Sequence, residues 1–96
     1  MKNQGTITLD EKDTEHIEGL DNLYQIVLFN DDVNSFDFVI NCLSKTFGYD
    51  WQLSTKIAVD AHKNGKTICA VEDKNSALKH KGELQSYGLT VEIEPI

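Results

Sequence analysis

The chain has 96 residues, 40% of them apolar and 26% charged, with a formal net charge of −7. That length and mix suit one globular domain with a modest core and exclude two independent ones. All nine basic residues are lysines, so nucleic acid and anionic membranes are poor partners and cationic ligands are better ones.

Residues 1–22 hold six acidic residues and two lysines but few large apolar ones. Such a stretch buries too little surface to offset its ordering entropy, so a flexible acidic tail is expected ahead of one domain at 23–96. The opening Met1–Gly5 lacks the apolar run of a signal peptide. No apolar run approaches the length of a membrane span.

Tyr24–Phe29 is β-rich and almost wholly apolar, as a central or well-covered strand should be. Asn30-Asp31-Asp32-Val33-Asn34 follows, with two carboxylates and two side-chain amides in one turn. A helix is predicted from about Ser35 to Phe47, because Phe36, Val39, Ile40, Leu43 and Phe47 recur at helical spacing. Asn34 is expected as its N-cap, with Asp37 three residues on as in a capping box, and Gly48 as its stop. Asp50 caps a second helix with Trp51 in its first turn. Leu53, Ile57 and Ala61 share one face of it; Ala58, Ala61 and His62 share the adjacent face. Asn64-Gly65 ends that helix.

Thr67–Val71 reads as the second strand. Residues 75–86 make a weaker third helix, with Gly82 inside and Gly88 as its stop. Leu89–Glu94 alternates cleanly and is the third strand, with one wet face, ended by Pro95. The order is therefore β-α-α-β-α-β. The expected fold is an α/β (α+β) two-layer sandwich, a three-stranded antiparallel sheet covered by three helices. Cys42 and Cys69 fall among apolar neighbours, without a Cys-x-x-Cys spacing or a nearby His, and are expected as reduced core thiols of a cytoplasmic protein.

No nucleophile elbow, phosphate-binding glycine loop or His-x-x-x-His pair is present, so neither an enzyme nor a metal or other cofactor is expected. Two readings of the polar turn stand side by side. In one, Asn30 and Asp31 merely cap the turn and His62 caps the end of the second helix. In the other, carboxylate, amide oxygen and neutral imidazole converge as acceptors beside an apolar face of small residues. That set fits an ammonium group attached to an apolar side chain.

Five segments together resemble the ClpS family, adaptors for the ATP-dependent Clp protease. They are Tyr24-Gln25-Ile26-Val27-Leu28-Phe29-Asn30-Asp31-Asp32, Phe36-Asp37-Phe38-Val39, Phe47-Gly48-Tyr49-Asp50, Ala61-His62-Lys63-Asn64-Gly65-Lys66 and Ile68-Cys69-Ala70-Val71. Order and spacing agree over about residues 23–72. The resemblance implies a small α/β sandwich that recognises destabilising N-terminal residues, usually Leu, Phe, Tyr or Trp. It also implies delivery of such substrates to an AAA+ chaperone of the ClpA or ClpC type, by an adaptor that is not itself an enzyme; a monomer is expected, since nothing in the sequence requires more. By position, Asn30, Asp31 and His62 would contact the substrate α-amino group, with Asp32 and Asn34 supporting the turn. Phe36, Val39, Ala58 and Ala61 would line the side-chain pocket, and the tail would assist delivery.

Some positions depart from the family pattern. Asn34-Ser35 replaces the usual Thr-Pro, and Phe36 stands where a Met is common. Ala58 and Ala61 stand where a bulkier Met and Val are usual. Asn75 and His80 lie near places where the family's third helix carries an acidic and Lys surface pattern. The alternative reading is a chaperone-docking regulator whose pocket is vestigial.

Overall fold

A computed structural model describes residues 23–96, so the tail expected at 1–22 lies outside the described residues. The elements are β1 (Leu23–Phe29), α1 (Phe36–Phe47), α2 (Trp51–Asn64), β2 (Lys66–Asp73), α3 (Lys74–Ser86) and β3 (Val91–Pro95). The sheet order is β2-β1-β3 and both pairings are antiparallel. The most apolar strand is thus the central one, because only there does every backbone group pair on both sides.

Alternation along β1 divides the sheet into two faces. Ile26 and Leu28 join Leu43, Leu84 and Val91 in a core from which solvent is excluded, and the three helices close over it. The opposite face carries Ile68 and Val71, each about half exposed, together with Glu92 and Glu94. Gln25 Nε2 donates to Glu94 Oε1 there at 3.0 Å. The wet face expected for the third strand therefore extends onto β2, while Val27 at the centre of that face is buried, 3% exposed.

Between Ile26 and Val27 the partner on β2 jumps from Ala70 to Ile68, leaving Cys69 as the extra residue of a bulge. The Tyr49 hydroxyl donates to the Cys69 carbonyl at 2.8 Å, which satisfies a group at the disturbed point of the ladder. Cys42 and Cys69 are both free and buried, as expected. Burial pushes the Cys69 thiol up to about 12, so it is protonated and unreactive near neutrality.

Local signals fixed most helix ends. Asp50 accepts from the Leu53 N–H at 2.8 Å, and Gly48 and Gly65 close α1 and α2 in left-handed conformations. Other expectations need correction. The N-cap of α1 is Ser35, whose Oγ accepts from the Phe38 N–H at 3.1 Å; Asn34 is one residue outside. On α2 the buried face is Ser54, Ile57, Ala58 and Ala61, while Leu53 is exposed. The inward i, i+3, i+4, i+7 set begins one residue later than the apolar pattern indicated. β3 starts at Val91, not Leu89, although Leu89 is itself buried. Asp73 caps α3 one residue earlier than the predicted helix, and the C-cap is Tyr87, followed by Gly88 at φ +94°.

Among the described residues, no helix is long and apolar enough to cross a membrane.

Candidate functional site

β1 runs out between two neighbours that pin its end. The Phe29 N–H donates to the Thr90 carbonyl at 3.0 Å and the Asn30 N–H to the Gly65 carbonyl at 2.9 Å. The second bond ties the start of the polar turn to the C-cap of α2. Because His62 lies one turn before that cap, the same bond brings its side chain to the turn's rim.

The turn then closes on the Asp31 carboxylate. Asp31 Oδ1 accepts from the Val33 N–H at 2.7 Å and the Asn34 N–H at 3.2 Å. Asn34 Nδ2 donates to Asp31 Oδ2 and also to the Gly88 carbonyl at 3.3 Å. Asn34 is therefore drawn away from capping the helix and instead joins the turn to the loop that leads to β3. The Val33 N–H and then the Asn34 amide hold the Asp31 carboxyl below its ordinary value against the opposite effect of burial, with a smaller contribution from the Asn34 backbone N–H. Three donors occupy a group with about four lone-pair positions, so the ionised carboxylate keeps capacity for another donor. Asn30 Nδ2 reaches Asp32 Oδ1 at 3.5 Å, a long contact that gives Asp32 a place in the same turn.

Beside the turn lies a cavity of about 300 Å³. Asn30, Asp31, Asp32, Asn34, Phe36, Val39, Ala58, Ala61 and His62 all border it. These are the residues singled out from the sequence, drawn from the turn, α1 and α2. Leu28, Phe29, Ser35 and Leu89 border it as well and escaped the sequence reading. Leu28 and Phe29 end a strand that points at the turn, so the strand's own direction was a usable signal. Leu89 is far along the chain, and only the packing of α3 and β3 brings it in.

Burial orders the lining by depth. Leu28, Val39, Ala58, Ala61 and Leu89 are buried and form the floor; Asn30, Asp32, Ser35, Phe36 and His62 are exposed at the mouth. Phe36, read from its spacing as part of the helix's apolar stripe, is 46% exposed. Its ring meets His62 edge-on, with centroids 5.3 Å apart and planes at 67°. The mouth thus offers a carboxylate, an amide and an imidazole, and the floor offers only aliphatic surface. Among the described residues, no three His, Cys, Asp or Glu side chains gather closely enough to hold a metal ion.

The family described as "ATP-dependent Clp protease adaptor protein ClpS" matches residues 20–92. The ATP-dependent Clp protease adapter protein ClpS of Aromatoleum aromaticum is 40% identical over 55 residues, covering 57% of this chain and 54% of that protein. Its counterpart in Cronobacter sakazakii is 41% identical over 49 residues, covering 51% and 46% respectively. The matched stretch thus spans about half the length of each relative. Among solved structures, that of Agrobacterium tumefaciens ClpS2 bound to L-phenylalaninamide superposes with a TM-score of 0.69 at 23% identity. The superposition covers 79% of this chain and 99% of that one, a likeness of fold. The family match extends from just before β1 into β3 and takes in the turn, both helices of the cavity and Leu89, and on that ground the chain belongs to the ClpS family of Clp protease adaptors.

Proposed function

We propose that this chain binds the free α-amino group and the bulky apolar side chain of destabilising N-terminal residues. It then delivers the substrates that bear them to a Clp AAA+ chaperone of the ClpA or ClpC type. The observation that carries this reading is that one cavity joins an ionised acceptor turn at its mouth to an aliphatic floor. An N-terminal residue is the one place on a polypeptide where an ammonium and a side chain leave the same carbon. Asp31, Asn30 and His62 accept from the ammonium, with Asp32 and Asn34 holding the turn. Phe36, Val39, Ala58 and Ala61 surround the side chain. The Agrobacterium protein's ligand, L-phenylalaninamide, carries the same pair of groups.

The energetics are adequate. Hydrogen bonds to a charged group contribute roughly 1.5–3 kcal/mol each, and burial of one Leu or Phe side chain contributes about 1.5–3 kcal/mol. Three strong bonds and one filled pocket give roughly 12 kcal/mol, which after an association cost of about 4 kcal/mol leaves the roughly 8 kcal/mol of a micromolar complex; weaker bonds leave a looser one. The chain acts as a monomeric cytoplasmic adaptor without chemistry of its own, and residues 1–22 assist delivery to the chaperone.

Fluorescence anisotropy with three peptides tests the reading. One begins with free Phe, the second is the same peptide N-acetylated, and the third begins with Ala. Binding of the first alone is the expected result. It should weaken above the range of about 7.7–8.0 in which an α-amino group loses its proton. Equal or absent binding across the three peptides would overturn the reading and favour a chaperone-docking regulator with a vestigial pocket.

A further inference from the structure

Resting on the binding reading above, we propose that this pocket ranks N-terminal residues by bulk. It takes tryptophan and phenylalanine ahead of leucine, and Ala58 and Ala61 set that order. The two alanines sit three residues apart on α2, each 4% exposed, and both face the cavity from its buried end. Their methyl groups stop short where a longer side chain would project, and the space they leave belongs to the cavity of about 300 Å³.

The one bulky residue on α1 that borders the same cavity does not take that space back. Phe36 is 46% exposed and packs edge-on against His62 at the mouth. Bulk therefore stands at the entrance and room lies at the floor. A leucine side chain anchored by its ammonium at the turn fills less of this cavity than an aromatic ring does. The gap leaves wall atoms without contacts, which apolar pockets penalise. A phenyl or indole ring fills more of the space and lies beside the Phe36–His62 pair at the mouth, whose rings favour edge-to-face and offset contacts.

The floor is entirely aliphatic, which adds a second condition. A phenol hydroxyl carried to that depth would meet Leu28, Val39 and Leu89 and lose its water without a partner. Tyrosine should therefore fall behind phenylalanine, although its ring is the same.

Peptides that differ only in their first residue, Trp, Phe, Tyr or Leu, each with an N-acetylated control, make the test with the full chain. The expected result is about 10-fold or more tighter binding of the Trp and Phe peptides than of the Leu peptide, the scale on which apolar pockets discriminate by small changes in size. Refilling the floor by Ala58→Met or, separately, by Ala61→Val should reduce that ratio to near one, chiefly by weakening the Trp peptide. Equal affinities in the unaltered chain, or Leu bound more tightly, would overturn the ranking while leaving ammonium recognition in place. A ratio unchanged in both variants would show that Ala58 and Ala61 do not set it. If no free peptide outbinds its acetylated control, the underlying binding reading fails, and the ranking with it.

Discussion

The acceptor turn at residues 30–34 and the apolar pocket beside it differ in how far along the chain their parts are drawn. Asp31 takes its partners from Val33 and Asn34, Asn30 reaches Asp32, and Ser35 caps the helix that follows. Every one of these bonds closes within three residues. The pocket floor, in contrast, takes Leu28 from β1, Val39 from α1, Ala58 and Ala61 from α2 and Leu89 from the segment before β3. The turn can take its shape from local hydrogen bonding, whereas the pocket exists only once the sheet and helices have packed. Two long-range bonds join them, Asn30 N–H to Gly65 and the Asn34 amide to Gly88. They set where the local acceptors stand against the non-local cavity.

That contrast can be broken most sharply at Leu28, which is both core and pocket floor and only 2% exposed. Leu28→Ala should lower the unfolding free energy by about 2–5 kcal/mol, read by urea denaturation. Asp31→Ala should do the opposite. Peptide binding should weaken by roughly 10- to 100-fold, the worth of one or two hydrogen bonds to a charged ligand, while stability falls by only about 1 kcal/mol. If Asp31→Ala cost as much stability as Leu28→Ala, the turn would not be the local structure described.

Asn34→Ala sharpens the comparison at the junction. It removes the donor to Asp31 and the link to Gly88, and should weaken binding by about 1 kcal/mol. The preference among first residues should not change, because the floor is untouched. A changed preference would mean that Gly88 and Leu89 depend on Asn34 for their position.

The smallest effect concerns pH. The folded Asp31 carboxyl lies below its unfolded value, so its contribution to stability is present above the unfolded pKa and is lost as pH falls through the folded one. The stability difference between the unaltered chain and Asp31→Asn should thus be constant near neutrality and change only in acid, below about pH 4. A difference that varied between pH 6 and 8 would show another group at work.

Particular residues show why some features were legible beforehand. Asp50, Gly48 and Gly65 are cap residues whose signals are local, and the helices end where they indicate. Asn34 and Ser35 are both good caps, and nothing local chooses between them. The choice falls to Ser35 because the Asp31 carboxylate and the Gly88 carbonyl claim the Asn34 amide. Leu53 looked like core and Ser54 did not, yet Ser54 is the one fully buried. Which stripe of a helix faces inward depends on how its whole length seats on the sheet and α1. Phe36 has the spacing of a core residue, but it starts its helix beyond the end of the sheet, where the cavity leaves it open to solvent.

By itself the sequence determined the element order, the central place of the most apolar strand, most of the caps and the carboxylate-amide turn. Each depends on periodicity, on burial of one strand's two faces, or on hydrogen bonds between near neighbours. The tertiary structure alone decided that Leu89 closes the pocket, that Phe36 stands at its mouth and Ala58 and Ala61 at its floor, and that Asn34 joins the turn to Gly88. Those outcomes depend on distances between elements far apart in the chain, which packing sets and local chemistry does not.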